Sequence, residues 1–400
     1  MSGIVIVGAG QAAASMAARL RKKGYDGAIT VVGAEPVAPY QRPPLSKGYL
    51  LGEMPLERLM LRANDWWANN DISLRLDCSV TEIDPKAQVV QISDGESLDY
   101  SELALCTGAT PRRLPASLGG NLGNVFTVRS LADVDAMRAQ FRPGQRLVVI
   151  GGGYIGLEAA AVARKLGLEV ALVEAAPRIL GRVACAQTAD AIRALHQENG
   201  VEIIEGLGLL SLRGDTVVTA VELEDGRVIE ADFAIVGIGV TPNEEIAREA
   251  GIHCENGIAV DAQGRCSEDH IWAAGDCAAF PGGAGPLRLE SVGNAIDMGE
   301  LVAENMLGAA QDYSPKPWFW SDQFDSKLQI AGLNIGYDSV VARAGEGASF
   351  WYFRDGALIA VDALNDARAY MIGKRLIEGG KTVTPEQVAD PETDLKALLK

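Results

Sequence analysis

The residues whose types and spacing most directly imply chemistry sit in two glycine turns. Gly8-x-Gly10 ends the apolar run GIVIVGAG, and Gly151-x-Gly153-x-x-Gly156 ends RLVVIGGG. In such a turn the first glycine permits a tight reversal and the second lets backbone approach a pyrophosphate. The third lets helix and strand pack closely, and the free N–H groups and dipole at the helix start favour the anion. Ala13 occupies the third position of the first turn, where packing should tolerate one methyl. Glu35 and Glu174 follow the second strand of each unit. An acid at that point accepts hydrogen bonds from ribose hydroxyls and repels a 2′-phosphate, so Glu174 points to NADH rather than NADPH. Arg178 lies beyond the AAP turn and opposes this only weakly. Two turns in register imply two dinucleotides in one chain; glycines serving only helix–strand packing are the alternative reading.

Each turn needs a strand before it and a helix after it. GIVIVGAG reads as a buried parallel strand, QAAASMAARLRKKG as a helix closing at Gly24, and AITVVG as the next strand. The stretch from Arg146, RLVVIGGGYIGLEAAAVARKLGLEVALVEAAPRIL, repeats strand, turn, helix and strand. IWAAGDCA, residues 271–278, reads as a short strand delivering Asp276 to a strand's C-terminal edge, where an open α/β sheet binds its ligand. LALCTGATPRRL and AIVGIGVTPN look like crossings into and out of an inserted domain. The expected class is α/β with two Rossmann-like dinucleotide-binding domains, the second inserted in the first.

The whole chain agrees with this scale. Its 400 residues, 48% hydrophobic with 45 glycines, suffice for two or three cored domains. With 36 Lys+Arg against 53 Asp+Glu the net charge is -17, which repels phosphate backbones and anionic lipid surfaces, so neither nucleic acid nor membrane is an expected partner. Cys78, Cys106, Cys185, Cys254, Cys266 and Cys277 show no metal-ligand or redox spacing. No metal or iron–sulfur site is expected, and a reducing cytoplasm fits best. The apolar strand starting at Gly3 leaves no room for a secretory segment, and no apolar run reaches the roughly 18 residues needed to span a bilayer.

PYQRPPLSK (Pro39–Lys47), CTGATPR, GGGYIGLE, VEAAPRIL, AAGD, ESVGNA and WFWSDQ (Trp318–Gln323) complete the pattern. Together with Gly8-Ala9-Gly10 they resemble the two-dinucleotide flavoprotein reductases. The nearest branch is the NADH-dependent ferredoxin reductases of bacterial cytochrome P450 and aromatic-ring dioxygenase systems. The resemblance implies non-covalent FAD in residues 1–109 and 245–315, NADH in 110–244, and a C-terminal α+β domain from 316. It carries FAD contacts to Gly10, Ala12, Glu35, Arg42, Lys47, Val80, Arg129, Asp276 and Val292, beside Gly8 of the turn. NAD falls to Gly151, Gly153, Tyr154, Ile155, Gly156 and Glu174. Ala34 stands where a relative offers an acid, which leaves Glu35 as the ribose partner.

The same resemblance implies four catalytic residues. Lys47 lies near the flavin N5 edge, where a cation stabilises negative charge on the reduced ring, and pairs with Glu158 at the start of the second nucleotide helix. Tyr154 resembles an aromatic gate that moves aside for nicotinamide, and Trp320 is placed beside the electron exit; core packing is the alternative for both aromatics. The chain carries no cluster of its own, so the expected acceptor is an external [2Fe-2S] ferredoxin serving a P450 or ring-hydroxylating oxygenase. Lys316, Lys327, Arg354, Lys374 and Arg375 are candidate docking cations. PYQRPPLSK has no cysteine where disulfide reductases and peroxide-reducing relatives place theirs. A rubredoxin, quinone or ascorbate-radical reductase, or a redox-dependent interaction flavoprotein like apoptosis-inducing factor, remain alternatives. The expected state is a monomer or weak dimer.

Overall fold

A computed structural model describes residues 2–283 and 285–399, an α/β chain divided into two compact units. The first comprises 1–42, 55–110 and 240–317; the second comprises 43–54, 111–239 and 318–400.

The first unit is built on a parallel sheet. Gly3–Val7 pairs with Ile29–Val32 on one side and Ser97–Leu105 on the other; Ile72–Arg75 and Ile271–Ala273 extend the two edges. Gly3–Val7 is buried throughout, as a parallel strand covered on both faces must be, which is why it reads as an unbroken apolar run. The helix Gln11–Lys22 follows at once, its buried face made of Ala12, Ala13, Ala14, Ser15, Met16, Ala17 and Leu20. Small residues there allow close approach of Val292–Met306, since a Cβ on Gly299 would lie 2.7 Å from the Ala12 carbonyl oxygen. Gly24, at φ +85, follows the helix. Val80–Asp84 and Val89–Ile92 form an antiparallel meander with the long strand Ser97–Leu105.

The second unit repeats the theme. Its parallel sheet runs Val201–Glu205, Glu169–Glu174, Arg146–Ile150, Phe233–Val236 and Val125–Phe126, with Tyr154–Lys165 as the helix after the glycine turn. The two segments read as crossings pair with each other, Ala109–Pro111 against Val240–Pro242, and all of these residues but Pro111 fall in the first unit. The second unit also holds an antiparallel sheet in the order Trp318–Gln323, Ser326–Gly332, Ala357–Leu364, Ala348–Arg354 and Ser339–Ala344. The helix Ala367–Glu378 packs on it through Ala369, Tyr370, Ile372 and Leu376, against a core that includes Trp351 and Phe353. Burial of side chains of this size contributes about 1.5–3 kcal/mol each. Pro43–Met54, which carries Lys47, clusters with this second unit.

Candidate functional site

In the first unit the turn after Gly3–Val7 is a ready cradle for an anion. Gly8 has φ +108, and a Cβ there would fall 2.1 Å from the Cys106 carbonyl oxygen, so only glycine fits. A Cβ on Gly10 would meet nothing within 4 Å, and the helix it introduces has no side-chain cap and no acid in its first turn. Its leading N–H groups are therefore available to a pyrophosphate. Glu35, just past the second strand, accepts from the Tyr40 hydroxyl at 2.6 Å and from Arg42 Nη2 at 2.6 Å. Burial lowers the Arg42 pKa, but Tyr40, Glu35 and Asp276 outweigh it and raise the net value, so this cation stands in a field of acids. Asp276 follows Gly275 at φ +84, whose Cβ position would lie 3.0 Å from that of Ala12. Ala12 is buried, Val80 opens its strand, and Val292 is the first residue of a helix capped by Ser291. The structure thus links Glu35, Arg42 and Asp276, while Lys47 and Arg129 belong to the second unit. Arg129 donates its backbone N–H to Asp133 at 3.1 Å.

The second turn has the same design with stricter packing. A Cβ on Gly151 (φ +108) would lie 2.3 Å from the Gly237 oxygen, and one on Gly156 would lie 2.2 Å from the Gly151 oxygen. Gly153, the N-cap, has open space around its Cβ position, and the helix starts without a cap or an acid. Both turns accordingly fit the phosphates of a dinucleotide. Glu174 is clamped: its Oε2 accepts from the Gly152 N–H and its Oε1 from the Ala176 N–H, both at 2.7 Å. Arg178 donates to the Ala184 carbonyl at 2.8 Å. Ile155 is exposed.

Lys47 and Glu158 meet as an ion pair, Nζ to Oε2, at 2.7 Å. Glu158 stands in the second turn of its helix, not at the start as expected, because the helix begins at Tyr154. What holds it is side chains, since Ser46 Oγ donates to Oε2 at 2.5 Å and Ser321 Oγ to Oε1 at 2.6 Å. Burial pushes its carboxyl up; Lys47, Ser321 and Ser46 pull it back, and the net value stays above the ordinary range. The Tyr154 ring lies 4.7 Å from that of Phe319, and its buried hydroxyl has no hydrogen-bond partner among the described residues. Burial pushes that phenol well up, aided by the charges of Asp362 and Glu158. Trp320 stacks on Trp318 at 5.4 Å and 19°, and Lys374 sits over the Trp318 ring. Lys327, Arg354 and Arg375 are exposed in the same unit, whereas Lys316 belongs to the first. Ser46, Ser321, Gln323 and His196 were not singled out by the sequence. Ser321 and Gln323 alternate on one face of their strand, and that period was the available signal.

Against known proteins, the family model described as pyridine nucleotide-disulphide oxidoreductase matches residues 2–299. The chain belongs to that family. A second model, described as reductase C-terminal, matches residues 318–399. A ferredoxin–NAD(P)+ reductase of a Sphingomonas species is 43% identical, the match covering 99% of this chain and 97% of that protein. Rhodocoxin reductase of Rhodococcus erythropolis is 41% identical over 99% and 94%. The crystal structure of the covalent putidaredoxin reductase–putidaredoxin complex superposes with a TM-score of 0.96 at 38% identity, covering 100% of this chain and 98% of that one. In this member of the oxidoreductase family all six cysteines are free, and burial pushes the thiols of Cys106, Cys254, Cys266 and Cys277 up, away from the thiolate that disulfide chemistry requires. Among the described residues no helix is long and apolar enough to cross a membrane.

Proposed function

We propose that the protein is an FAD-dependent NADH:ferredoxin oxidoreductase. It delivers electrons singly to a [2Fe-2S] ferredoxin that serves a cytochrome P450 or ring-hydroxylating oxygenase in the cytoplasm. The observation that carries this reading is the ion pair of the partly exposed Lys47 with the buried Glu158, in a chain that aligns along 99% of its length with named ferredoxin and rhodocoxin reductases. FAD, when bound, accepts two electrons from NADH and releases them one at a time.

The chain's own residues do the rest. Residues 1–109 and 245–315 would hold FAD, with Gly8 and Gly10 at its pyrophosphate and Glu35, braced by Arg42 and Tyr40, at its ribose. Residues 110–244 would hold NADH, with Gly151, Gly153 and Gly156 at the phosphates and Glu174 at the adenosine ribose. Lys47 supplies a cation whose charge is fixed in place by Glu158. Tyr154, packed on Phe319, would help hold the nicotinamide and keep water from it. Trp320, stacked on Trp318, would lie on the side from which electrons leave.

The test is anaerobic addition of NADH to the purified yellow protein, followed by cytochrome c reduction with and without a [2Fe-2S] ferredoxin, repeated with NADPH. Bleaching by NADH and strong stimulation by ferredoxin are expected. Bleaching without stimulation by any ferredoxin overturns the partner class, and no bleaching overturns the oxidoreductase reading.

A further inference from the structure

Two fully enclosed polar side chains of the second unit have no part in the scheme above. Gln323 is 1% exposed and His196 0%. They stand in line with Glu158. Gln323 Nε2 donates to Ser321 Oγ at 3.0 Å, Ser321 Oγ donates to Glu158 Oε1 at 2.6 Å, and Gln323 Oε1 lies 2.8 Å from His196 Nε2. On the other side of His196, Nδ1 is buried with no partner among the described residues, and the ring edge meets Phe324 at 5.0 Å.

We propose that His196, Gln323 and Ser321 form a one-way hydrogen-bond relay that holds the Glu158 carboxylate in register with Lys47, His196 and Gln323 acting as positioning residues. The inference rests on Lys47 and Glu158 being the pair that serves the flavin. Its direction follows from donor and acceptor inventory. An ionised Glu158 can only accept, so Ser321 must donate to it. The lone pair of Ser321 then accepts a hydrogen bond from the donor that the described residues bring to it, the amide of Gln323. That leaves the Gln323 carbonyl facing His196, which needs a proton on Nε2. Burial pushes His196 down to about 4, so the ring is neutral and carries a single proton. Running the chain backwards would move that proton to Nδ1 and strand a buried N–H without an acceptor. The empty side of His196 thus sets the direction of the whole line.

The relay occupies Oε1 while Lys47 and Ser46 occupy Oε2, so both oxygens are committed and the carboxylate cannot turn. Tyr154 is the other titratable group that feels Glu158, and it offers no hydrogen bond to it. Lys47, Ser321 and Ser46 lower the proton affinity of a carboxylate that burial would otherwise raise further, and Gln323 and His196 act on it only by orienting the Ser321 hydroxyl.

The test follows Glu158 itself in the FAD-loaded enzyme, through the carboxyl resonance of 13C-labelled glutamate assigned by its loss in Glu158→Gln. Gln323→Leu should raise the protonation midpoint of Glu158 by about one pH unit, a roughly tenfold shift in its protonation equilibrium. His196→Leu should move it in the same direction. His196→Gln, whose amide reaches the place of Nε2, should restore the native midpoint, and His196→Asn, whose amide reaches the place of Nδ1, should not. An unchanged midpoint in the Leu variants overturns the relay. Should either Leu variant melt below the working temperature, the Gln and Asn variants decide alone, and equal midpoints for those two also overturn it. NADH bleaching of Glu158→Gln is read separately: bleaching at the native rate, with midpoints shifted as expected, removes the flavin role of Glu158 and leaves the relay standing.

Discussion

At the scale of single residues, Glu174 has a structural part that is observed and, under the proposed function, a part in selectivity that can be tested. Its two oxygens are held by the Gly152 and Ala176 N–H groups, which fixes a negative charge at the end of Glu169–Glu174. A 2′-phosphate brought there would meet a charge that cannot swing away, and a ribose diol would find acceptors already oriented. Glu174→Ser should therefore raise KM for NADH, because Gly152 loses its clamp, and reduce the preference for NADH over NADPH by about tenfold or more. Steady-state kinetics with both nucleotides check this; an unchanged ratio with a raised KM would assign Glu174 to turn geometry alone. Glu174 was legible because strand, turn and acid are local in the sequence. Lys47 and Glu158 were legible only through motifs shared with known reductases, since no spacing rule joins them. The roles of Ser46 and His196 were not legible, and of Ser321 and Gln323 only their shared strand face was. Apart from the Gln323–Ser321 contact two residues apart, their partners are 112 to 163 positions away, so nothing local joins them until the chain folds.

At the scale of elements, the two glycine turns use the same local chemistry but tolerate a methyl differently. Gly156 cannot accept a Cβ because the Gly151 oxygen would lie 2.2 Å away, whereas Ala13 is accommodated fully buried in the first turn. The constraint in the first unit falls instead on the neighbouring helix, where Gly299 faces the Ala12 carbonyl. Gly299→Ala should push the helices Gln11–Lys22 and Val292–Met306 apart and cost about 1–3 kcal/mol. Because Gln11–Lys22 begins at the turn proposed to hold the FAD pyrophosphate, flavin should be lost at a lower denaturant concentration than in the parent. Parallel urea titrations of flavin fluorescence and far-ultraviolet circular dichroism test this, and coincident midpoints at the parent value would count against it. The parallel strands and their helices could be read from sequence because turn, helix start and apolar run are contiguous. The antiparallel sheet from Trp318 could not, since its order comes from long-range pairing. Nor does anything local in PPLS mark Pro43–Met54 for the second unit.

At the scale of the whole molecule, charge and proton balance become the relevant terms. A chain of net charge -17 would meet an acidic ferredoxin only through a local excess of cations. Among the exposed candidates, Arg375 follows Lys374, which already leans on Trp318 and Glu378. Arg375→Glu should raise KM for ferredoxin several-fold and leave flavin bleaching by NADH unaltered; stopped-flow and steady-state assays separate the two. Beside Glu158, whose carboxyl stays above its ordinary range, two buried groups of the second unit act on the proton balance in opposite directions. Asp362 accepts from Thr188 at 2.8 Å and from the Tyr352 hydroxyl, and burial pushes it up to about 6 from an ordinary 3.8. The fold thus favours its protonated form, a contribution complete below about pH 4 and lost as pH rises through about 6. His196 is pushed down to about 4 from an ordinary 6.5, so its contribution is complete above pH 6.5 and lost as pH falls through about 4. Across pH 4 to 6 the two slopes oppose and largely cancel in the native protein. Asp362→Asn removes one of them, and stability should then fall by on the order of 2–3 kcal/mol between pH 6.5 and 4 relative to the native curve. His196→Gln removes the other, and stability should fall relative to the native curve as pH rises from 4 to 6. Melting temperatures of the three proteins over this range report the differences free of the background slope that the net charge imposes on all of them. Three parallel curves would mean that neither group is desolvated in the folded chain, whereas curves that diverge in opposite directions identify each group by the sign of its slope.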